Sequence, residues 1–251
     1  MKYNKILLTG GSGTLGRHII SSGKLKNILA PSSQELDITN SAGVEKFFSQ
    51  NELDAVIHCA AMARVSECEQ DPAKAIATNI IGTANLVAAV IKKEKKSKKT
   101  MRFVHISTDG VYPSTKGDYS EEDAAIPYNV YGWTKLGAES AVHALINSCI
   151  IRTRFFDTEK IKYNEYAIDS YTSMIPAGEL AKAIAIMLES SFTGTINIGG
   201  SRVSDYEALK KYKPSIKPCK FADIQGKIPF KLSKDASMNI SLWKKIREQK
   251  K

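Results

Sequence analysis

The chain has 251 residues, 43% hydrophobic and 25% charged, which suits one large globular domain or one domain with a small appendage. No run of about 18 apolar residues is evident, so no membrane span is expected. The net charge of +10 points to anionic partners, but much of it lies in "KKEKKSKK" (92–99) and "WKKIREQKK" (243–251). These are runs at helix ends or a frayed terminus, and no aromatics interleave with the first. They read as solvating lysines, and neither nucleic acid nor membrane is an expected partner.

In chain order, "KYNKILLTGGSGTLGRHIISSG" predicts a short apolar strand, a glycine-rich turn, and a helix carrying Leu15, Ile19 and Ile20 on one face. "NILA" is a second short strand, "AGVEKFFSQN" an amphipathic helix and "LDAVIHCAA" a buried strand. "DPAKAIATNIIGTANLVAAVIKKEKK" predicts a long helix capped by Asp71, with Pro72 in its first turn. Then follow the strand "MRFVHISTDGVY", the helix "VYGWTKLGAESAVHALIN", the strand "SCIIRTRFF", the helix "PAGELAKAIAIMLES" and the strand "GTINIGG". Near-continuous apolar strands alternating with helices predict a doubly wound parallel sheet, a Rossmann-like α/β fold. The lysine-rich last fifty residues, with Pro214, Pro218 and Pro229, read as a small helical and loop appendage at the carboxyl ends of the strands. The apolar "ILLTGG" is too short for a secretory signal. Cys59, Cys68, Cys149 and Cys219 form no C-x-x-C pair and the histidines are scattered, so no metal site is expected and a cytoplasmic setting is.

"TGGSGTLG" spaces Gly10, Gly13 and Gly16 as G-x-x-G-x-x-G between a strand and a helix. Such a turn lets backbone approach a pyrophosphate and aims free helical N–H groups at it, which involves Ser12, Thr14 and Leu15 as well. "YNVYGWTKLGAE" puts Tyr131 and Lys135 on one helix face, about 6 Å apart along the axis. Alone, that pair could be a tyrosine ring covering a lysine stem.

Together with "HCAA", "NIIGT" and "STDGVY", in this order and spacing, the glycine turn and "YGWTK" resemble the extended short-chain dehydrogenase/reductase family. The resemblance covers residues 5 to about 200 well and the rest loosely. It implies that Tyr131 is the general acid or base, that Lys135 lowers its pKa and binds the nicotinamide ribose, and that Thr108, rather than its neighbour Ser107, donates to the substrate carbonyl. It further implies that Asp37 and Ile38 flank the adenine, that Ala60, Ala61 and Met62 line the cofactor strip, and that Asn79 buttresses the site. Residues 1–155 then bind the dinucleotide. Residues 156–251 form a mixed region in which a helix and strand (about 176–199) return to the sheet and the remainder binds substrate.

The second strand ends in Ala30, Pro31, Ser32 and Ser33, with no acid for the ribose hydroxyls, and Arg17 follows the glycine turn; NADP is favoured, while Glu35 keeps NAD open. "ELDITN", the long "STDGVYPSTKGDYSEEDAAIPYNVYGWTKLGAE" and "IIRTRFF" look most like the dTDP-4-dehydrorhamnose reductase branch. That implies NAD(P)H-dependent reduction of a 4-keto-6-deoxy nucleotide sugar, with Arg64, Val65 and Phe155 facing substrate, and a homodimer as a partner state. The segment "DTEKIKYNEYAIDSYTSMI" is short for the branch's substrate region. An epimerase or dehydratase with tightly bound NAD, and a non-catalytic regulatory subunit, remain open, although Gly110 after Asp109 breaks the acidic pair that dehydratases use.

Overall fold

A computed structural model describes residues 3–249. Its centre is a six-stranded sheet built from β1 (Ile6–Thr9), β2 (Ile28–Leu29), β3 (Ala55–His58), β4 (Arg102–Ile106), β5 (Ser148–Arg152) and β6 (Gly194–Asn197). The order is β2-β1-β3-β4-β5-β6 and every pairing is parallel. Alternate residues of the same strands feed opposite cores, as a pleat requires. Leu8, Ile57, Val104 and Ile151 pack with α1 (Thr14–Ser21), α6 (Ala177–Glu189) and Trp243 of α8 (Ser241–Glu248). Leu7, Val56, Phe103 and Ile150 pack with α2 (Ser41–Gln50), α4 (Pro72–Ser97) and α5 (Val130–Val142). Burial on both faces is why these strands are near-continuous apolar runs. The architecture is the doubly wound α/β fold predicted above.

Helix α4 starts where expected: Asp71 accepts from the Lys74 N–H at 2.9 Å and Pro72 fills the first position. It passes through a π turn, Ile76–Ile81, and ends on Lys98 in the left-handed region, φ 54°. At 26 residues it is long and apolar enough by composition to cross a membrane, which corrects the expectation that no such stretch exists. Its Leu86, Val87 and Val90 sit in the second core, so sheet packing accounts for its apolar face. A helix not predicted from sequence, α3 (Val65–Gln70), follows β3.

Beyond β5 the chain builds a small lobe. Glu165–Ala167 pairs in parallel with Lys217–Cys219, and Tyr171–Thr172 pairs antiparallel with Val203–Ser204, which leads into α7 (Asp205–Lys210). The terminal segment then crosses back to the sheet. Tyr119 and Ser237 share a backbone hydrogen bond of 2.9 Å, and α8 places Trp243 in the first core.

Candidate active site

Strand order reverses between β1 and β3, and a crevice opens at their carboxyl ends, where open α/β sheets bind ligands. Gly10 leaves β1 at φ +73°, and a Cβ there would lie 2.7 Å from the Ala60 nitrogen. Only glycine lets the two strand ends approach so closely. Helix α1 begins without a side-chain cap, so its first-turn N–H groups are left for an anion. The turn therefore fits a dinucleotide pyrophosphate by space and by polarity.

A cavity of about 500 Å³ runs from this turn to the small lobe. Gly10, Gly13, Thr14, Leu15 and Gly16 form one end, Ala61 and Val65 a side, and Thr108, Tyr131, Lys135 and Phe155 the middle. The other residues singled out from sequence do not line it. Ser12 gives only its carbonyl, to Arg17 Nη1 at 2.6 Å. Asp37 is exposed and accepts from Thr39 N–H and Oγ1, while Ile38 is buried against α4 in the second core. Ala60 donates to Thr9 Oγ1 at 3.3 Å. Met62 is held by Asn79, which accepts from its N–H at 2.8 Å and donates to its carbonyl at 3.0 Å and to Thr134 at 2.9 Å. Arg64 is the clearest departure from expectation: its guanidinium turns to solvent and pairs with Glu67 at 2.8 Å, one helical turn ahead in α3.

Tyr131 and Lys135 reach the cavity because α5 lies hard against the 3₁₀ turn Asp109–Val111. A Cβ on Gly132 would collide with the Gly110 carbonyl oxygen, which explains the glycine between them. Asn129 caps the helix, accepting from Gly132 N–H at 2.9 Å. Thr108 caps the 3₁₀ turn: its Oγ1 accepts from Gly110 N–H and donates to Asp109 Oδ1, each at 3.1 Å. The Ser107 hydroxyl is committed to the Glu139 carboxylate below the cavity floor.

Electrostatics differ from the sequence expectation in one respect. Burial pushes the Tyr131 phenol well above its ordinary pKa, and hydrogen bonding with Thr108 only partly opposes this. Lys135 is 2% exposed, and burial brings its ammonium down to about 8 while Glu139 pulls it upward. For Tyr131 the charge of Asp109 adds to the rise; for Lys135 desolvation outweighs the help it draws from Glu139. A protonated phenol is the form that gives up a proton.

Sequence reading missed a buried histidine pair beneath this site. His58 Nδ1 lies 2.7 Å from Thr9 Oγ1 and its Nε2 2.9 Å from Thr83 Oγ1. Thr83 spends its own proton on the Asn79 carbonyl at 2.6 Å, so His58 must donate from Nε2 and accept at Nδ1. Burial keeps it neutral, with its pKa near 3. His105, with its centroid 5.1 Å from His58, accepts from Lys135 Nζ at 3.3 Å, and burial and the lysine charge hold its pKa well below the usual value. Histidines inside "AVIHCAA" and "FVHIST", each in a fully buried strand, were the available signal.

The profile of the RmlD substrate binding domain matches residues 4–164, more than half of the chain. The chain belongs to that family. Among curated relatives of the RmlD family, a dTDP-4-dehydrorhamnose reductase of Mycolicibacterium smegmatis is 35% identical over 144 residues, 56% of this chain and 42% of that protein. The matches span about half the length of the curated relatives. Solved structures extend further. A hypothetical dTDP-4-dehydrorhamnose reductase from Sulfolobus tokodaii is 31% identical with TM-score 0.83, covering 97% of this chain and 94% of that one. A dTDP-4-dehydrorhamnose reductase of Bacillus anthracis, solved in complex with NADP, is 22% identical with TM-score 0.82 over 97% and 91%; at that identity the likeness is one of fold.

Proposed function

We propose that this chain is an NAD(P)H-dependent reductase of a 4-keto-6-deoxy nucleotide sugar. The reading is carried by convergence: the Tyr131 phenol, the Lys135 ammonium and the Thr108 hydroxyl line the same cavity as the uncapped glycine turn. In this reading residues 1–155 bind the dinucleotide and 156–251 complete the substrate side, with 176–199 returning to the sheet. Val65 and Phe155 contact sugar, whereas Arg64, paired with Glu67 outside the cavity, is left out.

When bound, the dinucleotide supplies the hydride. The chain supplies the rest. Thr108 turns its one hydroxyl proton from Asp109 Oδ1 to the carbonyl oxygen of the sugar and fixes its distance from Tyr131. Tyr131, kept protonated by burial, gives its proton to the oxygen as it becomes an alkoxide, a far stronger base than phenolate. Lys135, anchored by His105, places positive charge beside the phenol as that proton leaves. A phenol held protonated suits reduction better than a cycle that begins with oxidation, and Gly110 denies the site the second acid of a dehydratase. Intact Thr108, Tyr131 and Lys135 weigh against a purely regulatory role.

The test is NADPH oxidation against a panel of 4-keto-6-deoxy nucleotide sugars. Turnover with at least one is expected; an inert panel rejects the reading.

NADP is favoured over NAD by the end of β2. A Cβ on Gly11 would lie 2.9 Å from the Ala30 Cβ, so an alanine stands where a ribose-binding acid would. Glu35, the nearest acid, already accepts from the Ser32 N–H at 2.7 Å. Arg17→Ala should raise KM for NADPH by about 10-fold or more and leave KM for NADH unchanged, since a charge-assisted hydrogen bond contributes about 1.5–3 kcal/mol. Equal effects on both cofactors would contradict the assignment.

Lys135 also sets a pH limit. Its charge is lost as pH rises through about 8, so kcat/KM should fall on the alkaline side of that value. Stability responds in the opposite sense. Its folded pKa of about 8 lies below the ordinary 10.5, so the cost of burying its charge is carried in full below pH 8 and relieved between those values. A flat kcat/KM profile through that range would remove Lys135 from the chemistry.

A further inference from the structure

The half of the cavity facing the small lobe holds polar groups that the protein leaves unspent. Arg154 follows β5 between Thr153 and Phe155, and its side chain remains 37% exposed in the cavity wall. Its guanidinium forms no hydrogen bond with any described residue; its nearest charged partner is Asp205, with Nη1 3.9 Å from Oδ1. Asp205 is aimed by Ser170, whose hydroxyl donates to Oδ2 at 2.8 Å, and its Oδ1 is buried with no hydrogen-bond partner. Asp109, 6% exposed, lines the same wall near enough to feel the Arg154 charge: Thr108 reaches Oδ1 here, while Oδ2 is buried and unpartnered. The Thr153 hydroxyl, 3% exposed, is unpartnered too.

Buried polar atoms in folded proteins are nearly always bonded, so several unsatisfied ones on one wall of one cavity are explained by a ligand that bonds them. The wall offers two acceptors and one donor: the carboxylates of Asp109 and Asp205 and the guanidinium of Arg154. An anionic sugar fits poorly, because two carboxylates already flank the single guanidinium. An ammonium fits poorly as well, because it cannot accept from Arg154. A hydroxyl does both, donating to a carboxylate and accepting from a guanidinium. Two carboxylates beside one guanidinium take two such hydroxyls, which neighbouring carbons of one sugar supply. Asp109 directly follows Thr108, so the diol sits beside the carbonyl that Thr108 addresses, not at the diphosphate. Burial raises Asp109 to about 6, and Arg154 is close enough to oppose that rise.

We infer that Asp109, Arg154 and Asp205 form a subsite that grips two adjacent hydroxyls of the sugar next to its reacting carbonyl, so that the protein selects nucleotide sugars retaining both. This rests on the reductase reading above and extends it to substrate choice.

The test compares kcat/KM for dTDP-4-keto-6-deoxyglucose with that for its 2-deoxy and 3-deoxy counterparts, using wild type, Arg154→Met and Asp205→Asn. Wild type should prefer the intact diol by about 10²–10⁵-fold, the range set by buried groups left without a partner. Each variant should lose at least about tenfold of that preference, mainly through slower use of the diol sugar. Asp205→Asn keeps an acceptor for Ser170 and tests the same wall if Arg154→Met does not fold. Reduction of all three sugars at similar kcat/KM by wild type, or undiminished preference in folded variants, overturns the subsite and leaves the reductase reading standing. Reduction of none overturns both.

Discussion

Replacing Tyr131 with Phe is expected to lower kcat by about 10²–10⁴-fold or more, while NADPH binds as before. The ring is part of the cavity wall and Phe preserves it. Only the hydroxyl is lost, and with it the proton that must reach the new alkoxide. Burial keeps that proton on the phenol across the physiological range, so no other state of Tyr131 contributes at neutral pH. The glycine turn and α1 are remote from the change, so affinity for the dinucleotide, measured by fluorescence titration, should stay within experimental error. Single-turnover hydride transfer is the decisive readout. A Tyr131→Phe variant that keeps more than about a tenth of wild-type kcat would mean that the proton comes from another group.

The largest effect on stability is expected at Glu139. It lies 1% exposed under the site, and Arg152, 6% exposed, grips it through Nε at 3.1 Å and Nη2 at 2.8 Å. Arg152 Nη1 donates to the Tyr112 hydroxyl at 3.0 Å, and Tyr112 in turn stacks on Tyr119 with centroids 4.8 Å apart. The pair therefore joins β5, α5 and the loop beyond the 3₁₀ turn. Removing one member strands a buried charge, at a cost of about 3–5 kcal/mol. For a chain of this length, Glu139→Ala should lower Tm by about 6–20 °C. Adding Arg152→Met should recover part of the loss, because the stranded guanidinium is gone too. Glu139 also raises the Lys135 pKa, so the milder Glu139→Gln should move the alkaline limb of kcat/KM to lower pH. A shift in Tm below about 2 °C for Glu139→Ala would mean that the pair is solvated and the network contributes little.

The alternation of apolar strands and helices, the glycine turn, the Asp71–Pro72 helix start and the Tyr131–Lys135 spacing were all legible in the sequence. Each depends on residues within one turn or one strand of each other, where periodicity and backbone geometry act alone. That is why the doubly wound sheet could be read from one end to the other. What depends on distant segments meeting could not be read this way. Arg64 and Arg154 are both arginines after strand ends, yet one turns out to Glu67 in a helix the sequence did not announce, and the other faces a cavity closed by Asp205 from a lobe fifty residues on. Asp109 and the two buried histidines gained their surroundings in the same way. The direction of the Tyr131 shift is a further case. Spacing along a helix shows that a lysine is near, but not how completely the rest of the chain encloses the phenol, and here the loss of water, with Asp109 beside it, raises the phenol.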